Sequence, residues 1–87
     1  MEIVYTDKAR EDLLFWNKSG NKSIQKKISR LIKAIENDPY KGIGKPEQLM
    51  YNLSGLWSRR INQEHRIVYD VIEDKKRVVI LSLKGHY

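Results

Sequence analysis

The chain has 87 residues, no cysteine and a formal net charge of +6. At this length we expect one domain, residues 1–87, and without cysteine the chain forms neither disulfides nor thiolate metal sites. No apolar run reaches the ~20 residues of a membrane-spanning helix, and the first residues do not resemble a signal peptide. We therefore expect a cytoplasmic protein without a membrane partner. The 17 lysines and arginines outnumber the 11 acidic residues, which favours a polyanionic partner such as nucleic acid.

The first half of the chain predicts one short strand and two helices. Residues 3–5 have the composition of a strand, and Thr6 is placed to cap a first helix. Gly20 suits the left-handed end of that helix. A second helix is predicted over residues 22–37 and ends before Pro39. Apolar residues at helical spacing in the two segments are Ala9, Leu13, Trp16, Ile24, Ile28, Leu31, Ile32 and Ile35.

The second half of the chain predicts strands. After a glycine-rich basic loop at residues 40–46, apolar residues alternate over residues 49–53, which indicates a strand. Three further strands are predicted at residues 57–61, 65–72 and 77–83, and the short turns between them indicate an antiparallel meander. The predicted fold is α+β, with an N-terminal strand and two helices packed on one face of a mostly antiparallel, curved sheet of about five strands.

The chain carries the groups that cleavage of RNA without a metal requires. A base takes the proton of a 2′-hydroxyl, cations stabilise charge on the phosphate oxygens, and an acid protonates the departing 5′-oxygen. The products are a 2′,3′-cyclic phosphate and a 5′-hydroxyl. Glu47 follows the rigid Pro46 at the start of a predicted strand and is the candidate base. The structural alternative is a solvated carboxylate.

Arginines on two neighbouring strands are candidates to hold the phosphate. They are Arg59, Arg60 and Arg66. The guanidinium group binds phosphate in a bidentate manner, and an open sheet face that carries such residues is a candidate RNA surface. Arg59 and Arg60 are consecutive strand residues, so at most one of them shares a face with the site. The structural alternative is cross-strand ion pairs with acidic neighbours.

Two residues after the last predicted strand complete the candidate site. His86 is the candidate acid, because histidine is suited to proton transfer near neutral pH. Tyr87 is placed to stack on a base or to orient the phosphate. The structural alternative for both is a frayed tail. His65, at a turn, is expected to be structural, and Trp16 is expected in the core. Two histidines without cysteine do not form a metal-site pattern, so we expect no metal and no cofactor.

Five segments of the sequence together match the pattern of one known family. They are Gly42-Ile43-Gly44-Lys45-Pro46-Glu47, Asn52-Leu53-Ser54-Gly55, Trp57-Ser58-Arg59-Arg60-Ile61, Glu64-His65-Arg66 and His86-Tyr87. In this combination the chain resembles the YoeB/Txe toxins of the RelE superfamily, and the similarity runs nearly end to end. The resemblance implies a RelE-like fold. It also implies the toxin of a type II toxin–antitoxin system, a ribosome-dependent endoribonuclease (mRNA interferase) that cuts mRNA in the decoding site.

The resemblance also implies a role for each candidate residue. Glu47 would be the general base, His86 the general acid, Arg66 the phosphate stabiliser and Tyr87 a substrate-positioning residue. The residues implied to support RNA binding are Arg59, Arg60 and Lys45.

The partners that the resemblance implies are a YefM/Axe-like antitoxin, the ribosome and mRNA. The acidic C-terminal segment of such an antitoxin folds onto the toxin and blocks its site. Operator DNA is expected to bind only to the toxin–antitoxin complex, and a homodimer is possible because some members are dimers. Two residues depart from the family pattern: Met50 stands where lysine is common, and Gly85 stands where an aromatic residue is common. The second departure is expected to loosen the terminal pair.

Two other functions are compatible with these residues. One is a ParE-like inhibitor that acts on a protein target through the same scaffold. The other is a non-catalytic module that binds nucleic acid through the basic surface. Neither needs an acid and a base, so a catalytic requirement for Glu47 and His86 separates them from the nuclease.

Overall fold

Two helices and five strands are arranged in the order β1-α1-α2-β2-β3-β4-β5. The computed structural model describes residues 1–85, so the expectations for His86 and Tyr87 lie outside the described residues. The strands are β1 (Glu2–Tyr5), β2 (Glu47–Gln48), β3 (Leu56–Arg60), β4 (Arg66–Ile72) and β5 (Arg77–Ser82), and the helices are α1 (Asp7–Ser19) and α2 (Lys22–Asn37). This arrangement confirms the predicted α+β class.

The helices begin where the sequence predicts them because side chains satisfy their first backbone N–H groups. The Thr6 hydroxyl accepts a hydrogen bond from the Ala9 N–H at 3.1 Å. The Asn21 side chain accepts one from the Ile24 N–H, also at 3.1 Å. Gly20 ends α1 in the left-handed conformation, at φ 74°, which glycine adopts without steric cost.

The five strands form one mixed sheet in the order β1-β5-β4-β3-β2. β1 runs parallel to β5, and the other three pairings are antiparallel. The predicted meander is therefore confirmed for β2 to β5. β5 contains an irregularity where Val68 pairs with Ser82 but Tyr69 pairs with Ile80, so that Leu81 is an extra residue. Such a bulge changes the direction in which the following side chains point, and it leaves Leu83 fully buried.

The strand predicted at residues 49–53 is wrong. The paired strand in this region is the two-residue β2, and a 3-10 helix covers Tyr51–Leu53. Tyr51 has a φ of 59°, which lies outside the β region. The Ser54 N–H then donates to the Tyr51 carbonyl at 3.0 Å and closes a turn. The alternation of apolar residues here reflects a compact turn rather than an extended chain.

The core lies between the two helices and one face of the sheet. It consists of Ala9, Trp16, Ile28, Leu31, Ile35, Ile61, Ile67, Tyr69, Val78, Ile80 and Leu83. Trp16 is 5% exposed, so its expected place in the core is confirmed. Because strand residues alternate between faces, burial of Ile67 and Tyr69 in β4 turns Arg66 and Val68 to the opposite, helix-free face.

In the described part of the chain, no helix is both long enough and apolar enough to cross a membrane.

Candidate functional site

The strand register brings three candidate residues to the helix-free face. Glu47 in β2 pairs with Ser58 in β3, and Arg60 in β3 pairs with Arg66 in β4. Directly paired residues of an antiparallel sheet share a face, and Ser58 and Arg60 are two residues apart on β3. Glu47, Arg60 and Arg66 therefore lie on one surface, as the sequence predicted for the base and the phosphate-binding arginines.

Glu47 and Arg66 are in direct contact. Nη1 of Arg66 donates to Oε1 of Glu47 at 3.1 Å, although β3 separates the two strands that carry them. The side chains are 56% and 20% exposed, respectively. An ion pair this exposed contributes at most about 1 kcal/mol to stability. The pair places a carboxylate beside a guanidinium, and a guanidinium with five N–H donors has the capacity to contact both a carboxylate and a phosphate.

The loop that leads into β2 is fixed by close packing. Gly44 has a φ of 86°, and a Cβ atom at this position would lie 2.6 Å from Cδ2 of Leu31. The Gly44 carbonyl accepts a hydrogen bond from the Arg60 N–H at 2.6 Å. Lys45 follows with a φ of 51° and an exposed side chain. The loop therefore presents Lys45 to solvent directly before the Pro46-Glu47 step.

Arg59 occupies a structural position, and the expectation that it contacts RNA is corrected. The residue is 0% exposed because it lies on the opposite face of β3 from Arg60. Its guanidinium donates to the hydroxyl of Tyr69 (3.1 Å) and to the carbonyls of Asp38 (2.6 Å), Lys41 (3.0 Å) and Ile43 (3.1 Å). These contacts hold the loop before β2 against the sheet, so Arg59 stabilises the segment that leads to Glu47.

Tyr69 adds a second anchor to the same loop. Its hydroxyl donates to the Pro39 carbonyl at 2.7 Å. Burial raises the pKa of Tyr69, although the hydrogen bond from Arg59 acts in the opposite direction. The phenol therefore stays protonated and remains a donor to the loop at neutral pH.

Helix α1 holds the segment that follows β5. Oδ2 of Asp12 accepts a hydrogen bond from the Leu83 N–H at 2.9 Å, and Nε1–H of Trp16 donates to the Leu83 carbonyl at 2.8 Å. Asp12 is only 5% exposed and is paired with Lys8 at 2.7 Å. Our reading of the sequence did not single out Asp12. The available signal was its helical spacing, which places this carboxylate on the buried stripe beside Ala9 and Trp16.

Two hydrogen bonds then connect Gly85, the last described residue, to His65 and to the first residue of β4. The Gly85 carbonyl accepts from the Arg66 N–H at 2.9 Å, and the Gly85 N–H donates to Nδ1 of His65 at 2.8 Å. Gly85 itself is therefore held at the site, whereas the loosening expected for the terminal pair stays a prediction. His86 and Tyr87, the candidate acid and positioning residue, lie outside the described residues.

The described residues offer little to a metal ion. Within residues 1–85, no group of three or more His, Cys, Asp or Glu side chains is close enough to hold one.

Comparisons with known proteins identify relatives of this chain. A model of the family described as YoeB-like toxin of bacterial type II toxin-antitoxin system matches residues 5–87. Toxin YoeB from Synechocystis sp. is 48% identical over 87 residues, which span 100% of this chain and 98% of that protein.

Solved structures of related toxins share the fold over the full chain. A YoeB/ParE toxin from Agrobacterium tumefaciens has a TM-score of 0.92 at 37% identity and covers 100% of both chains. A YoeB-YefM complex and a YoeB dimer, both from Staphylococcus aureus, have TM-scores of 0.84 and 0.85 at 43% and 42% identity. Each covers 100% of this chain and 98% of the matched chain. The chain therefore belongs to the family of YoeB-like toxins of bacterial type II toxin–antitoxin systems.

Proposed function

We propose that this toxin is a ribosome-dependent endoribonuclease that cleaves mRNA without a metal ion. The observation that carries the proposal is the contact between Glu47 and Arg66 on the helix-free face. Two further observations support it. The chain has a net charge of +6, which suits a polyanionic substrate, and the segment before His86 is hydrogen-bonded to the backbone of Arg66.

The proposed reaction is an attack of the RNA on its own backbone. Glu47 takes the proton of a 2′-hydroxyl, and the 2′-oxygen forms a bond to the adjacent phosphorus. Arg66 stabilises the charge that develops on the non-bridging oxygens. The bond from phosphorus to the 5′-oxygen breaks, and His86 gives that oxygen a proton. The products are a 2′,3′-cyclic phosphate and a 5′-hydroxyl.

Three other residues are proposed to bind the substrate. Arg60 lies across the β3–β4 ladder from Arg66 and is exposed, so it is placed to contact a phosphate next to the cleaved one. Lys45 is exposed in the loop before Glu47. Tyr87 is assigned to substrate positioning on its resemblance to the family pattern.

The proposed protein partner is a YefM-like antitoxin. One of the similar solved structures is a YoeB-YefM complex from Staphylococcus aureus. The basic surface of the present chain also suits an acidic antitoxin segment. A homodimer is proposed because a second Staphylococcus aureus structure is a YoeB dimer. The remaining proposed partners are the ribosome with its mRNA in the cytoplasm, and operator DNA when the toxin is bound to the antitoxin.

A pair of matched substitutions tests the role of Glu47. Glu47→Gln keeps the shape of the side chain but removes the base, so we expect the single-turnover rate of mRNA cleavage on programmed ribosomes to fall roughly 10²–10⁴-fold. Glu2→Gln is the control, because Glu2 also forms an exposed ion pair with an arginine of another strand, Arg77, at 2.8 Å. That variant is expected to cleave at the wild-type rate.

The outcomes separate the proposed nuclease from its alternatives. A Glu47→Gln variant that cleaves as fast as the wild type would remove Glu47 from the reaction. Inhibition of DNA supercoiling without mRNA cleavage would support a protein-directed inhibitor instead. Salt-sensitive RNA binding with intact RNA would support a non-catalytic module.

A further inference from the structure

We propose that His65 is a positioning residue for the C-terminal dipeptide and acts through a hydrogen bond from the Gly85 N–H to its Nδ1. The inference rests on the proposed function, because it concerns how His86 and Tyr87 are delivered to the Glu47–Arg66 pair. His65 is not assigned contact with the substrate. Its role is to fix the backbone of Gly85, the residue directly before the proposed acid, His86.

The imidazole of His65 is held on several sides. Its side chain is 19% exposed, and its ring meets the Trp16 ring edge to face, with centroids 4.8 Å apart and an interplanar angle of 81°. The backbone of His65 belongs to a tight turn, since its N–H donates to Oδ1 of Asn62 at 2.8 Å and its carbonyl accepts from the Ile61 N–H at 2.9 Å. The ring therefore has a defined place from which to hold Gly85.

The hydrogen bond to Gly85 uses Nδ1 of this ring as its acceptor. A backbone N–H donates to Nδ1 only when that nitrogen carries no proton, so the contact selects the tautomer with its hydrogen on Nε2. Nε2 lies 3.9 Å from the Glu64 carboxylate, which is 84% exposed. In this contact His65 serves as an acceptor for the backbone, whereas the proposed acid is His86.

Residues 65 and 66 bind both polar groups of Gly85. His65 accepts its N–H, and the Arg66 N–H donates to its carbonyl. Gly85 adopts a φ of 82°, a left-handed conformation that glycine tolerates best. The backbone of Gly85 is thus held by His65 and by Arg66, and Arg66 also carries the guanidinium proposed to bind the phosphate.

A second anchor acts two residues earlier and is independent of His65. Asp12 and Trp16 of α1 bind the N–H and the carbonyl of Leu83 at 2.9 Å and 2.8 Å. The extra residue in β5, Leu81, precedes this anchor. With Leu83 held by α1, loss of the His65 contact is expected to release the chain only beyond Leu83 and to leave the fold intact.

Two substitutions test this assignment by moving the acceptor. Asparagine carries its carbonyl oxygen at the δ position, as histidine carries Nδ1, whereas glutamine carries it one bond farther out. We expect His65→Asn to keep at least about half of the wild-type kcat. We expect His65→Gln to lower kcat at least about tenfold, because small misplacements of reacting groups have large effects on rate. KM for programmed ribosomes is expected to change less than about twofold in both, because neither variant alters the basic surface.

A measurement that does not depend on activity accompanies the kinetics. In the wild-type toxin labelled with ¹⁵N, a hydrogen bond from the Gly85 amide to Nδ1 of His65 predicts a through-bond ¹⁵N–¹⁵N coupling between these two nuclei. Absence of that coupling, or equal kcat values for the asparagine and glutamine variants, would overturn the proposal. If the wild type fails to cleave mRNA, the proposed nuclease fails, and the coupling still decides whether His65 holds Gly85. The coupling also decides the matter if His65→Gln does not fold.

Discussion

Arg59 and Arg60 show what strand alternation does and does not predict about the position of a single residue. Strand alternation predicts that they point to opposite faces, and the structure places Arg59 in the interior and Arg60 in solvent. Which of the two is buried was not predictable from the alternation alone. The buried guanidinium is stabilised by carbonyl groups of a loop that is distant in sequence, and a pattern of side chains does not reveal carbonyl positions.

The two arginines should differ sharply in their effect on stability. Arg59→Met is expected to lower the free energy of unfolding by about 3 kcal/mol or more, because it leaves three partly buried carbonyls of the loop without their donor. Arg60→Met is the matched control and is expected to stay within about 0.5 kcal/mol of the wild type. Urea denaturation followed by circular dichroism measures both. Equal stability of the two variants would contradict the anchoring role of Arg59.

At the level of elements, local signals predicted the helices well and the second strand poorly. The cap at Thr6 and the helix end at Gly20 are local features, and each is found where the sequence predicted it. The segment at residues 49–53 has the alternation of a strand, but the positive φ of Tyr51 turns the chain. The bulge at Leu81 also carries no local signature, because it depends on the register between β4 and β5.

The loop before β2 offers a test of packing at the level of an element. Gly44 and Gly55 have φ values of 86° and 96°, so an alanine at either position incurs a similar backbone cost of about 1–2 kcal/mol. Only at Gly44 would the added Cβ atom also clash, at 2.6 Å from Leu31. Among residues 1–85, no atom lies within 4 Å of a Cβ atom placed at Gly55.

Gly44→Ala is therefore expected to be about 1–3 kcal/mol less stable than Gly55→Ala. The midpoints of thermal and urea unfolding measure the difference. We also expect Gly44→Ala to slow mRNA cleavage more than Gly55→Ala, because the loop leads directly to Glu47. If the two variants unfold at the same midpoint, the close packing of this loop does not support the site.

For the whole molecule, the residues that stabilise the fold and the residues of the proposed active site lie on opposite faces of the sheet. One sheet face packs against both helices and contains the core, and the other carries Glu47, Arg60 and Arg66. The sequence predicted this partition and the closeness of Glu47 and Arg66. It did not predict how the C-terminal segment is attached, because the contacts of Asp12 and His65 with backbone groups join positions far apart in the chain. The catalytic role of His86 stays a prediction.

The chemistry of the cut ends tests the central claim most directly. The claim is that Glu47, Arg66 and His86 act on one phosphodiester through attack of the 2′-hydroxyl. Purified full-length toxin is incubated with translating ribosomes, and the mRNA fragments are analysed for their terminal groups. The account predicts a 2′,3′-cyclic phosphate on the upstream fragment and a 5′-hydroxyl on the downstream fragment. A free 3′-hydroxyl on the upstream fragment would contradict it.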